Sequence, residues 1–304
     1  MNFRHVLVYA DGQPECERAL NVAASLAKQS GARLKVLHVA EPPLRVPGFD
    51  GEVDEALRSA QIEEVDRLRS LAQGMGVEAS CEARTGRPFV EIIRACQREV
   101  CDLVVKAAKG KDRLGWPLLG STALHLVRKC PVPVWLVGEN PEPIPRRIMA
   151  LLASDPASDE RQALDRRVIE VACSLAESTG AELRVGAAWD APGESLLRRR
   201  LPEEKLREYV DNARRQAEDG LGRALEPFKS SINPARVHLV RGVPYVELVA
   251  LAAQRADLVV IGTTPPSAGA AFLIREEAEE VINRLETSIV AVKSEGFVSP
   301  VSAS

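Results

Sequence analysis

Between Ala107 and Ser121 the chain reads Ala107-Ala108-Lys109-Gly110, then the nine residues 111–119, then Gly120-Ser121. A loop glycine such as Gly110 has no Cβ, so the backbone can turn there and present its N–H groups to a ligand at close range. Gly120-Ser121 opens an apolar-periodic stretch. First-turn amides, the Ser121 hydroxyl and the positive end of a helix dipole would therefore converge on one place. That is the chemistry of an anion cradle, above all for phosphate. Lys106, Lys109, Lys111 and Arg113 add positive charge around it. The competing reading is a plain connecting loop with solvated lysines, because two glycines at a chosen spacing are a weak signal. Asp11, at the end of the first apolar run, is a further polar group at such a position, and its local reading is a helix N-cap.

No catalytic constellation accompanies this loop. Ser121 has no histidine base beside it in sequence; His125 falls one turn on, where a packing or surface role is expected. The pairs Glu63-Glu64 and Glu203-Glu204 fall on long amphipathic helices, as solvated faces do. Arg198-Arg199-Arg200 reads as a solvated turn, with an anion or partner patch as the alternative. The cysteines, at positions 16, 81, 96, 101, 130 and 173, contain no C-x-x-C pair and no zinc-like grouping. Four are expected on helices, Cys81 on a strand and Cys130 at a helix–strand junction. They read as small buried hydrophobes in a reducing cytoplasm. The histidines, at 5, 38, 125 and 238, suggest no metal site.

The elements that must hold the loop alternate regularly. In the first half strands are predicted over His5–Ala10, Leu34–Val39, Glu78–Arg84, Asp102–Ala107 and Pro133–Val137. Helices are predicted at about 14–29, 51–73, 88–99 and 122–128. In the second half strands fall at Ile148–Ala153, Glu182–Ala188, Arg236–Val240, Leu258–Ile261 and Ile289–Val292. Helices fall at about 160–178, 203–226, 244–254 and 271–285. Near-continuous apolar strands separated by helices imply a parallel sheet covered on both faces. With right-handed crossovers this gives a doubly wound, Rossmann-like α/β domain with its ligand crevice at the strand carboxyl ends.

The order repeats because the chain does. Residues 100–137 lie over 255–292 without a gap, and Asp102-Leu103-Val104-Val105 falls on Asp257-Leu258-Val259-Val260. So long a period means two copies of one domain rather than a solenoid. The expected division is residues 1–139, a Pro-rich linker at 140–146, and 147–304. The 304 residues carry a net charge of −3, which gives no global basic excess for nucleic acid. No apolar run is long enough to span a bilayer, and the first residues run straight into a strand with no signal-type apolar region, so the expected location is the cytoplasm.

The start Val6-Leu7-Val8-Tyr9-Ala10-Asp11-Gly12, the stretch Gly86-x-Pro88 with Glu91-Ile92-Ile93, and Asp102-Leu103-Val104-Val105-Lys106 carry a resemblance to a known family. So does His125-Leu126-Val127-Arg128-Lys129-Cys130-Pro131-Val132-Pro133-Val134-Trp135-Leu136-Val137, the most distinctive run. Both halves resemble universal stress protein domains, and their arrangement resembles the tandem-domain subclass of that family. The resemblance implies a five-stranded sheet in each half and a non-enzymatic stress-response role. It implies ATP or a related nucleotide at a Gly-x2-Gly-x9-Gly-Ser/Thr motif, with an aspartate after the first strand nearby. Asp11, Gly110, Gly120 and Ser121 match that pattern, and Ala107 stands where the first glycine would be.

In the second half Gly262 matches the first glycine. Pro265 takes the second position and Arg275-Glu276 the Gly-Ser position, with Ala153 in place of the aspartate and Asp155 two residues on. Proline removes an N–H donor, and Glu276, Glu277, Glu279 and Glu280 would repel a triphosphate. No nucleotide is expected there. The resemblance also implies that the two fifth strands pair within the chain as a pseudo-two-fold dimer, which would cover two sheet edges. A homodimer of the whole chain is compatible with the sequence, and its protein partners are not legible. A nucleotide-free scaffold or carrier for an apolar or amphipathic ligand stays open as an alternative, as does a slow ATP hydrolase.

Overall fold

The computed structural model describes residues 3–42, 50–111, 117–155, 158–264, 278 and 280–302. The first half runs β1 (His5–Ala10), α1 (Cys16–Ser30), β2 (Arg33–Ala40), α2 (Asp50–Gly74), β3 (Ala79–Thr85) and α3 (Pro88–Glu99). It continues with β4 (Leu103–Ala107), a short ribbon of β5 (Lys109–Lys111) and β6 (Pro117–Leu118), α4 (Ser121–Lys129) and β7 (Val134–Val137). The second half runs β8 (Arg147–Leu152), α5 (Asp159–Thr179), β9 (Glu182–Trp189), the single turn α6 (Glu194–Leu197) and α7 (Glu203–Leu225). β10 (Val237–Arg241), α8 (Pro244–Arg255), β11 (Leu258–Gly262) and β12 (Ser288–Val292) follow. Of the helix expected at about 271–285, residues 280–284 are described and helical.

All the principal strands join one ten-stranded sheet in the order β10-β9-β8-β11-β12-β7-β4-β1-β2-β3. Within each half the pairing is parallel, with Tyr9 opposite Lys106 in β1–β4 and Leu151 opposite Ile261 in β8–β11. β1 is buried at every position and β4 likewise, as strands covered by helices on both faces must be. One buried cluster joins α1 and α5 residues to the sheet, among them Leu20, Leu26, Val168 and Leu175; a second joins α3, α4 and α8, among them Ile93, Leu126 and Leu251. Each helical layer therefore runs across both halves, and α1 packs on α5.

The repeat's shared aspartates are fasteners. Asp102 Oδ2 accepts the Arg4 and His5 amides at 2.6 and 2.9 Å. Asp257 Oδ2 accepts those of Arg146 and Arg147 at 3.1 and 2.9 Å. Each ties the start of the fourth strand to the start of the first, which is structural work done identically in both copies. Cys101 departs from its expected helical place: α3 ends before it, and Cys101 lies buried just ahead of β4.

The halves meet through β7 and β12, which pair antiparallel with Trp135 opposite Val290, Leu136 opposite Ile289 and Val134 opposite Ala291. Trp135 is 1% exposed and fills the middle of this seam. Side chains reinforce the junction: Ser288 Oγ accepts the Gly138 amide at 3.1 Å, and Thr263 Oγ1, which accepts from Lys293 Nζ at 2.9 Å, donates to the Val127 carbonyl at 3.4 Å. Beyond β12 the chain crosses onto the first half. Ser299 Oγ donates to the Lys129 carbonyl at 2.8 Å, and Gln97 Nε2 to that of Val301 at 3.2 Å.

Three helices end on a left-handed residue: α1 on Gly31, α5 on Gly180 and α3 on Val100, at φ 52° and ψ 55°. A β-branched residue is strained in that region, and Val100 is 77% exposed, so it recovers little by packing. Val100→Gly is expected to stabilise the protein by roughly 1 kcal/mol, net of the greater freedom of an unfolded glycine. Urea unfolding of the two proteins would check this, and a lowered midpoint would refute it.

Candidate functional site

In the first half the sheet's carboxyl edge brings together Asp11, Lys106, Ala107 and, across the β5–β6 ribbon, the start of α4. Asp11 does not cap α1. Its Oδ1 accepts the Gln13 amide at 3.2 Å in a local turn, and α1 begins at Cys16 without a side-chain cap. Its Oδ2 lies 3.6 Å from Lys106 Nζ. Lys106, expected among solvated loop cations, is 3% exposed. Its ammonium donates to the Ala107 carbonyl at 2.9 Å and stands 5.4 Å from the centre of the Tyr9 ring. Burial, then the carboxylates of Asp11 and Glu41, pushes the Tyr9 phenol above its ordinary range. The carboxylate and the carbonyl beside this buried ammonium replace the water it has lost.

Ala107 is 4% exposed, and its methyl group packs into the cluster under α1 rather than facing the crevice. Gly110 lies in the middle of β5, so the connection is a ribbon rather than an open loop. Gly120 precedes α4 with extended backbone, and Ser121 is that helix's first residue and is exposed. The first turn of α4 has no side-chain cap and no acidic residue, while Arg128 and Lys129 occupy its last turn. The positive end of its dipole therefore has no compensating acid at the helix entrance. His125 is a packing residue, with its ring stacked on Phe89 at 4.3 Å between centroids. Burial, with Lys129 and Arg128 nearby, lowers its basicity.

The second half builds the same edge differently. Gly262 has no room for a side chain: a Cβ there would lie 2.7 Å from Leu164 Cγ. Its lack of a side chain serves the packing of α5 on the sheet. Asp155 is engaged by Arg161 in an ion pair. Pro265, Arg275, Glu276, Glu277 and Glu279 lie outside the described residues, as do Arg113 and the rest of residues 112–116.

A residue that the sequence reading passed over stands here. Asp165 of α5 is 3% exposed, and its two oxygens accept the amides of Ala153 at 3.0 Å and Ser154 at 2.9 Å. Burial raises its carboxyl to about 6, with the two amides and Arg161 opposing that rise. Its signal was available in the helix period, because Asp165 shares the buried face of Val168, Ile169 and Ala172. No group of side chains suited to a metal ion occurs among the described residues, and none of their helices is long and apolar enough to cross a membrane.

Comparison with known proteins gives this arrangement its context. Universal stress protein E of Escherichia coli (strain K12) is 28% identical across 98% of this chain and 96% of its own. A Thermus aquaticus protein described as a universal stress protein in the QAH/OAS sulfhydrylase 3′ region is 35% identical over 44% of this chain and 98% of its own. The crystal structure of a universal stress protein from Archaeoglobus fulgidus DSM 4304 shares the fold, with a TM-score of 0.65 at 20% identity over 95% of this chain and 98% of that one. Residues 2–138 and 150–293 each match the universal stress protein family. The chain is a tandem member of the universal stress protein family.

Proposed function

We propose that this is a non-enzymatic, cytoplasmic stress-response protein whose first half, residues 1–139, holds ATP or a related nucleotide. The observation that carries the reading is Lys106. Its buried ammonium beside Asp11 leaves the carboxyl edge of β1 and β4 without the net negative charge that Asp11 alone would impose. The uncapped, acid-free start of α4 lies at the end of the same connection, and both features favour an anionic ligand.

In this reading Gly120 and the amides of the α4 first turn hold phosphate oxygens, with the Ser121 hydroxyl beside them. Gly110 lets the ribbon's backbone approach, and Asp11 faces the ribose or base. The Ala107 methyl, packed inward, leaves that approach open. The linker at 140–146 joins this unit to residues 147–304, which take no nucleotide. The described residues of the site present no nucleophile–base pair, and binding without turnover is the expected behaviour.

Isothermal titration of the full chain with ATP tests the proposal. Saturable binding is expected, with phosphate release near background. Gly120→Asp places a carboxylate at the helix entrance and should weaken binding by roughly tenfold or more. Lys106→Met should weaken it in the same direction by removing the buried positive charge. Absence of binding at millimolar ATP would overturn the nucleotide reading, and steady ATP turnover would overturn the non-enzymatic one.

A further inference from the structure

The carboxyl edge of the second half contains a cavity of about 60 Å³, walled by Leu151, Leu164, Tyr245, Leu248 and Val281. Two charged residues line it among the described residues, Asp165 and Arg161. Arg161 is engaged by Asp155, which is not part of the lining. Asp165 is held in place by two backbone amides, one on each oxygen. An ionised carboxylate offers about four lone-pair directions, so roughly two remain. Thr264 also lines the cavity, and its buried hydroxyl has no hydrogen-bond partner among the described residues. Asp155 balances Arg161, and Glu280 balances the Arg284 guanidinium seated on Tyr245, so the carboxylate of Asp165 leaves the local charge net negative, and apolar walls strengthen its field.

The repeat supplies an internal control. Lys106 pairs with Tyr9 in the first half as Ile261 pairs with Leu151 in the second. When the glycines that end α1 and α5 are superposed, Cys16 falls on Asp165. The first crevice thus carries a buried cation on its sheet and a thiol on its helix. The second carries an apolar sheet residue and a buried anion on its helix. On the aromatic wall, Tyr245 carries the Arg284 guanidinium 4.9 Å from its ring centre, and Glu280 balances that charge.

We infer that the second-half cavity is a binding site for a small organic cation, a protonated amine with a compact apolar body. The ammonium hydrogen-bonds Asp165 and Thr264, and the apolar body occupies the space among Leu151, Leu164, Leu248 and Val281. The cavity takes only a few non-hydrogen atoms, which sets the size of that body. This inference is independent of the nucleotide reading, because it concerns the opposite crevice.

The test is isothermal titration of the full chain at pH 7.5 with isobutylammonium chloride, isobutanol and sodium isobutyrate, with ammonium chloride as the salt control. Saturable binding of isobutylammonium is expected, with the carboxylate at least tenfold weaker and the alcohol intermediate. Asp165→Asn should abolish the preference for the cation. Ala278→Leu, which fills the cavity from its lining and leaves the carboxylate in place, should abolish binding of all three. If Asp165→Asn does not fold, Ala278→Leu decides.

Binding should also weaken as pH falls through about 6, where Asp165 takes up its proton. The charged groups facing it are Arg161 and Asp155, and neither gains a positive charge in that range. Isobutyrate binding as tightly as isobutylammonium, no binding of either, or binding that survives Ala278→Leu would each overturn the inference. ATP binding in the first half should be unchanged by either substitution, so the two readings fail separately.

Discussion

The antiparallel pairing of β7 with β12 is the constraint on which the rest of the molecule depends. Each half is a parallel sheet whose outermost paired strand would otherwise expose a row of N–H and C=O groups. Joining the two rows satisfies both and buries Trp135 between layers of helices. Because the seam is antiparallel, the carboxyl ends of the two half-sheets point in opposite directions. The two crevices therefore open at opposite edges of one continuous sheet. The chain after β12 returns to α3 and α4, so the halves are also tied along their helical layer.

Much of this was written in the sequence, for identifiable reasons. Strands buried on both faces must be apolar throughout, which makes His5–Ala10, Leu103–Ala107 and Leu258–Gly262 legible as sheet interior. The ungapped repeat makes the last two equivalent. Errors arose where a single residue's tertiary partner decides its role. Asp11 reads as a helix cap until Lys106 is placed beside it. Lys106 reads as a loop cation because a strand's last residues look alike whether they enter solvent or the core. The helix end at 99 is legible, and Cys101 falls in the two-residue connection after it, where Val100 turns the chain in a left-handed conformation.

The two buried charges show how one scaffold sustains opposite electrostatics. A lysine at the end of β4 needs a carboxylate and a carbonyl within reach, and Asp11 and Ala107 provide them. An aspartate in α5 needs donors, and the turn after β8 offers two successive amides, the second from Ser154 at a φ of 55°. Each solution uses the backbone at the strand's carboxyl end, where the parallel sheet leaves its groups unpaired. Neither solution would work in the other half without its partners, since a lone charge at either place would be neutralised or expelled.

The contacts that fasten the two halves are chemically unlike each other: Ser288 Oγ accepts the Gly138 amide in one, and Thr263 Oγ1 reaches the Val127 carbonyl in the other. In an assembly of two identical chains, every substitution is made twice, and a change that suits one crevice is forced on its counterpart. A chain that carries both copies is released from that duplication. It also holds its two halves together at any dilution, because association has become intramolecular. Lys106 in one copy and Asp165 in the other are what such freedom permits: a molecule with the backbone of a symmetric dimer and the chemistry of two different proteins.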